Sequence, residues 1–180
     1  YKDKVYVAAA LGFVRANFNE ESTYQEMDTK NEIPYFNSFS FKQSLTSTGA
    51  GVNFKIGAIV HITDWLHVGG AIHTPTYLRF NDVYENSMSS SISSSISSYD
   101  TTVSSPKGSF AYSIVTPFRA IGSMGFISQK HALINVDYEY VNYASGQIHS
   151  AKDAFSDVNS TIKSKYTSAG NIRIGGEVRF

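Results

Sequence analysis

The chain has 180 residues, no cysteine, and a formal net charge of zero from 15 basic and 15 acidic residues. Without thiols there is no disulfide framework, zinc ribbon or thiol catalysis, and balanced charge argues against nucleic acid as a partner. Charged residues make up 17%, below the ~25% usual in soluble domains, yet no run of roughly 18 apolar residues offers a transmembrane helix. One domain is the default at this length. The opening Tyr1-Lys-Asp-Lys-Val-Tyr-Val lacks a signal-peptide pattern and reads as the start of a strand in a chain cut from something larger.

Val5, Val7, Ala9, Leu11 and Phe13 share one parity against Lys4, Tyr6, Ala8 and Gly12, so residues 4–19 read as a strand. Residues 20–46 read as a long polar loop with an acid cluster (Glu20, Glu21, Glu26, Asp28, Glu32) and an aromatic patch, Tyr35, Phe36, Phe39 and Phe41. A solvated loop is the ordinary reading of that cluster, and a cation site the alternative. A long hairpin follows, 47–62 and 66–81. Val52, Phe54, Ile56, Ala58, Val60 and Ile62 alternate with Asn53, Lys55, Gly57 and His61. Beyond the Thr63-Asp64-Trp65 turn, Leu66, Val68, Ile72, Leu78 and Phe80 alternate with His67, His73 and Arg79. A three-residue loop keeps both apolar rows on one side.

Residues 82–108 are serine-rich, which argues for a flexible loop. Met88, Ile92 and Ile96 nevertheless recur every four residues, and Tyr99 and Val103 continue the stripe, a helical spacing. Residues 109–128 alternate again, with Pro117 marking a kink; Pro75 implies the same in the preceding strand. Gln129-Lys130-His131 reads as a short turn. Strand 132–145 sets Ile134, Val136, Tyr138 and Tyr140 against Asn135, Asp137 and Glu139. After a third polar loop, 146–165, strand 166–180 sets Ile172, Ile174, Val178 and Phe180 against Asn171, Arg173, Glu177 and Arg179.

By itself the central hairpin fits either a soluble sandwich or a membrane barrel, which differ in whether the charged row meets water or a lumen. The connections decide. They run long, short, long, short, long, as in an up-and-down outer-membrane barrel; a sandwich spaces its turns more evenly. The expected fold is all-β, an antiparallel up-and-down transmembrane β-barrel. Six strands are expected where closure needs about eight, so the chain reads as an incomplete, interior portion.

Several segments carry a resemblance: Gly57-Ala58 before Thr63-Asp64-Trp65-Leu66, Ala71-Ile-His-Thr-Pro-Thr76, Thr116-Pro117-Phe118-Arg119, Asp137-Tyr-Glu-Tyr140, and Asn171-Ile-Arg-Ile-Gly-Gly-Glu-Val-Arg-Phe180. With these the chain resembles the FadL/TodX outer-membrane transporters of long-chain fatty acids and other hydrophobic compounds. It is most like the Bacteroidetes-type branch often labelled hemin receptor. The resemblance implies location in the outer membrane of a Gram-negative bacterium, a fourteen-stranded barrel with an N-terminal hatch, and passive uptake. Neither hatch nor full strand count is present in this sequence. Phe180, with Val178, Ile174 and Ile172 behind it, also resembles a closing strand; truncation is the preferred reading.

No catalytic constellation emerges: no Ser-His-Asp arrangement, no glycine-rich phosphate loop, no basic patch. A non-enzyme is expected, with no cofactor and no metal. His67 and His73 lie six residues apart, about 20 Å along a strand, too far to share an ion; His61 and His67 flank one turn and can approach each other, with polar lumen residues the ordinary reading and haem ligation or a metal pair the minority one. Lys55, His67, His73, Arg79, Arg119, Asp137, Glu139, Arg173 and Glu177 are the expected lumen-lining residues, with Asp137 and Glu139 paired to Arg119 or Arg173. Met88, Ile92 and Ile96, with Tyr35, Phe36 and Phe39, are the candidates for binding a fatty-acid-like molecule, and Pro75 and Pro117 for strand kinks. The expected partners are that hydrophobic small molecule and outer-membrane lipid. A non-transporting barrel (adhesin or structural) and a porin for polar solutes are the rivals.

Overall fold

The computed structural model describes residues 4–93, 97–128 and 131–178. Ten strands form one antiparallel sheet: β1 (Val5–Met27), β2 (Phe36–His61), β3 (Leu66–His73), β4 (Tyr77–Ser93), β5 (Ser98–Ser104), β6 (Gly108–Val115), β7 (Arg119–Ser128), β8 (Ala132–Asn142), β9 (Gln147–His149) and β10 (Ser168–Val178). Their order is β10-β8-β7-β3-β2-β4-β6-β9, with β1 on β2 and β5 on β4. The sheet is open, so the all-β antiparallel expectation stands and barrel closure is not seen. One helix, α1 (Ser156–Lys165), and one 3-10 turn, Tyr143–Ser145, complete the described elements.

The expected six-strand meander is recognisable, with its strands divided. Residues 66–81 split into β3 and β4 around Thr74–Thr76, and 109–128 into β6 and β7 around Thr116–Phe118. The 3-10 turn separates β8 from β9. Two of the expected loops are mostly strand. β1 runs on to Met27 and β2 begins at Phe36, so only 28–35 of the 20–46 segment is a connection. β4 and β5 fill most of 82–108 as a hairpin, in place of a loop or a helix. The third, 146–165, holds β9 and α1. Asp157 in the first turn of α1 and Lys163 and Lys165 in the last complement the helix dipole. Asn159 fastens α1 to β9, donating to Ile148 O at 2.8 Å and accepting from Ile148 N at 2.9 Å. No described helix is long and apolar enough to cross a membrane.

The chain divides into two compact units. The first comprises residues up to Val14, Ala50–Arg79 and Tyr112 onward. Its ladders align side chains into cross-strand rows, because directly opposed residues share a face. One face reads Ile56-Ile72-Ala120-Tyr140, then Ala58-Gly70-Gly122-Tyr138-Ile172, then Val60-Val68-Met124-Val136-Ile174, then Leu66-Phe126-Ile134. The other reads Lys55-His73-Arg119-Val141, then Gly57-Ala71-Ile121-Glu139-Asn171, then Ile59-Gly69-Ser123-Asp137-Arg173, then His61-His67-Gly125-Asn135. One face is thus continuously apolar and the other mixed and charged.

Close backbone approach fixes Gly51 in this unit. A Cβ at Gly51 would come within 2.5 Å of the Tyr77 carbonyl oxygen and 3.0 Å of Leu78 Cα, whereas Gly175 has nothing within 4 Å. Gly51→Ala should therefore cost ~1–3 kcal/mol through overpacking, and Gly175→Ala should show no such loss. The comparison is read from urea midpoints at unchanged m-value.

The second unit comprises Arg15–Gly49 and Phe80–Ala111. Four of its acids find partners within the chain, while Asp82 Oδ1 is buried without one. Glu21 pairs with Lys42 at 2.6 Å, Glu85 with Lys107 at 3.8 Å, and the Tyr24 hydroxyl donates to Glu26. Asp28 accepts the backbone N–H groups of Ile33, Glu32 and Lys30 at 2.7, 3.1 and 3.2 Å, and these bonds hold its carboxyl below the usual range. They also close the turn in which Asn31 (φ 54°) and Tyr35 (φ 69°) adopt the left-handed conformation. Glu21, Glu26 and Asp28 are committed to different partners, which favours the solvated reading of the acid cluster over a cation site.

Candidate functional site

Three features of the described residues offer function, and the first is the two-faced sheet of the first unit. Ile174 is 75% exposed and Ile172 69%, and Val141 is the one buried hydrophobic residue among those described. An apolar face left this open to water is costly at roughly 25 cal/mol per Å², and it calls for a nonaqueous neighbour.

The charged face sorts the expected lumen residues. Lys55, His73 and Arg119 stand in one row on three neighbouring strands. Asp137 and Arg173 are directly opposed, yet Arg173 reaches Glu139 instead, at 3.4 Å, while Asn171 donates to Glu139 at 3.3 Å. Asp137 accepts from Asn135 at 3.0 Å. Of the expected carboxylate–arginine pairs, Glu139–Arg173 forms and Asp137 takes an amide. His67 faces His61, and Glu177 lies opposite Leu133 on the same side as this row set.

Arg79 departs from the expectation. A Cβ at Gly51 would lie 2.7 Å from Leu78 Cδ2, so Leu78 is on Gly51's side of the sheet. Gly51 and Lys55 share parity in one uninterrupted strand, so Leu78 shares the charged face and alternation turns Arg79 to the other. The reason is the break at Thr74–Thr76, which shifts the parity of everything after it.

That break is the second feature. Thr74-Pro75-Thr76 and Thr116-Pro117-Phe118 interrupt neighbouring strands side by side: Thr116 N donates to Thr76 O at 3.1 Å and Thr76 N to Thr116 Oγ1 at 2.9 Å. Each proline removes a ladder donor, and side chains supply the missing bonds. Phe54 N donates to Thr74 Oγ1 at 2.9 Å, and Asn53 Nδ2 to Thr76 Oγ1 at 3.0 Å. Asn53 Oδ1 is left buried without a partner, over Gly12. Both prolines therefore sit in strand interruptions. The sequence named the prolines but not the threonines and Asn53 that satisfy the opened backbone; Thr next to each Pro was the available signal.

The third feature lies in the second unit. Met88 is directly opposed to Val103 and Ile92 to Tyr99, in a hairpin whose other paired residues are serine, threonine and Asp100. All four are exposed: 47%, 64%, 43% and 64%. They lie on one face of β4–β5 as two apolar pairs with Ser90 and Thr101 between them. Ile96 lies outside the described residues. Tyr35 sits in the β1–β2 turn, 63% exposed. Phe36 and Phe39, three apart in β2, fall on opposite faces, so the expected aromatic patch does not form a single surface.

No family model, curated protein or solved structure matches the chain.

Proposed function

We propose that this sheet is a sector of an outer-membrane β-barrel that passes hydrophobic compounds, such as long-chain fatty acids, passively across the membrane, as in the FadL/TodX-type transporters the sequence resembles. The observation that carries the reading is the cross-strand order of the first unit, a continuous apolar face backed by a charged one. In a bilayer the apolar face meets lipid and the charged face meets an aqueous lumen. No chemistry on the ligand is required.

Within this reading the Met88–Val103 and Ile92–Tyr99 pairs are a landing surface outside the membrane, and the paired breaks at Pro75 and Pro117 mark where the wall is weakest. Each apolar side chain buried by a ligand contributes about 1.5–3 kcal/mol. The paired double substitution Met88→Ser with Ile92→Ser should lower long-chain fatty-acid uptake and binding by tenfold or more, with insertion unchanged. Radiolabelled oleate uptake by cells carrying equal amounts of inserted protein is the measurement; wild-type uptake by the double variant refutes the landing surface.

One observation favours the porin alternative. Lys55 and Arg119 stand in one row, either side of His73, in which no described salt bridge neutralises their charge, a lining suited to polar anions. Planar-bilayer conductance separates the two: an open, anion-selective channel supports the porin, and a closed barrel that takes up oleate supports the transporter.

A further inference from the structure

We propose that His61 and His67 form a binding site for a borderline divalent transition-metal ion, Zn²⁺ or Cu²⁺, with part of its coordination left to solvent. The inference does not depend on the transport reading.

The two histidines are directly opposed across β2 and β3, at the last pair of that ladder before the Thr63–Trp65 turn. His61 N donates to Lys4 O, towards β1, so its backbone is turned away from β3 and the His61–His67 pair is of the non-hydrogen-bonded kind. In such pairs the Cα atoms are about 4.5 Å apart and the side chains closest. The imidazole centroids are indeed 3.8 Å apart, with an interplanar angle of 11°. Two nitrogens on one zinc ion, each at about 2.0–2.1 Å, sit roughly 3.3 Å apart. The two rings are near enough to share one ion, but as stacked their in-plane lone pairs lie in parallel planes and do not converge; turning the rings about χ2, a broad torsion in histidine, is what brings one nitrogen of each onto the ion.

The surroundings leave room. Tyr6 borders His61 on the β1 side, ring centroid at 5.0 Å. On the β7 side His67 faces Gly125, which has no side chain, and beyond it stands Asn135. A Cβ at Gly125 would lie 4.0 Å from His67 Cβ and 3.7 Å from Asn135 Oδ1, which puts that oxygen within reach of a water on the ion. Asn135 Nδ2 is already given to Asp137, so Oδ1 is the end presented.

The donor set selects the metal class. Neutral imidazoles suit Zn²⁺, Cu²⁺ and Ni²⁺, with Cu²⁺ the strongest by the usual order, and they do not suit Mg²⁺ or Ca²⁺. No group of three or more His, Cys, Asp or Glu is placed to hold a metal among the described residues. The site is accordingly a two-histidine one that exchanges its ion, unlike a closed structural centre.

The test uses the chain in detergent micelles after washing with a chelator. Zn²⁺ is titrated by calorimetry, and Cu²⁺ by quenching of Trp65, the chain's single tryptophan, two residues from His67. One ion per chain is expected, with affinity at least tenfold weaker in His61→Gln and in His67→Gln and unchanged in His73→Gln and His149→Gln. Wild-type affinity in either of the first two variants, or the absence of saturable binding to the wild type, overturns the proposal. Imidazole resonances of the wild type give a check that needs no variant: Zn²⁺ must move those of His61 and His67 together, and movement of one alone also overturns it.

Discussion

Arginine in place of Val136 is expected to lower the stability of the bilayer-inserted protein by about 2–4 kcal/mol, whereas asparagine in place of Asp137 changes it far less. Val136 stands between Met124 and Ile174 in the row that begins at Val60 and Val68. All its row neighbours are apolar, so in the outer-membrane reading a guanidinium there has hydrocarbon on every side. Asp137 belongs to the opposite face, between Ser123 and Arg173, where the Asn135 amide already serves it. The penalty depends on depth. At Val178, opposite Ala132 near the β7–β8 connection, the same arginine should cost only about 0–1 kcal/mol. A urea titration of folding into lipid vesicles measures all three. Equal losses at Val136 and Asp137, or no difference between Val136 and Val178, remove the lipid-facing assignment.

The parts of this fold legible in the sequence are those where alternation is strict and the two rows differ in chemistry. Ile134 to Tyr140 against Asn135 to Glu139 is such a stretch, and the ladders place those residues as alternation demands. The stripe of Met88 and Ile92 shows where the method loses power. A spacing of four is shared by a helix face and by every second position of a strand face, and serine does not argue for a strand. Cross-strand partners decide, and Val103 and Tyr99 lie too far along the chain to be assigned as such from local pattern. The acids of 20–32 differ in another way: charges read as loop, yet Glu21 and Glu26 sit on a long strand that is exposed on both faces over this stretch. Arg79 was misplaced because parity was carried through Pro75, where the ladder stops and restarts. The His61–His67 contact was foreseeable, since only the three-residue turn had to be right; the threonine network around the prolines was not, because it joins residues 20 to 40 apart in sequence.

That network sets the second large expectation. Thr116→Val keeps the shape of the side chain and removes the hydroxyl that accepts from Thr76 N at 2.9 Å. Thr76 N–H then has no acceptor at a place where the regular ladder is already interrupted, and an unsatisfied group of this kind costs about 1–3 kcal/mol. If the segment lies at membrane depth the cost falls at the upper end, since no water replaces the lost bond. Thr116→Ser, which retains the hydroxyl, should recover most of the loss, and that rescue separates the hydrogen bond from packing. The Thr76 side chain keeps its bond from Asn53 Nδ2, so the damage should stay local. Amide hydrogen exchange at Thr76 should quicken markedly in the valine variant while exchange in β8 and β10 does not change. In the transport reading a loosened break also alters ligand passage, so uptake of oleate should change in Thr116→Val and return in Thr116→Ser. Unchanged stability and exchange in the valine variant would show that the threonine hydroxyl is dispensable and that the break is held by its backbone bonds alone.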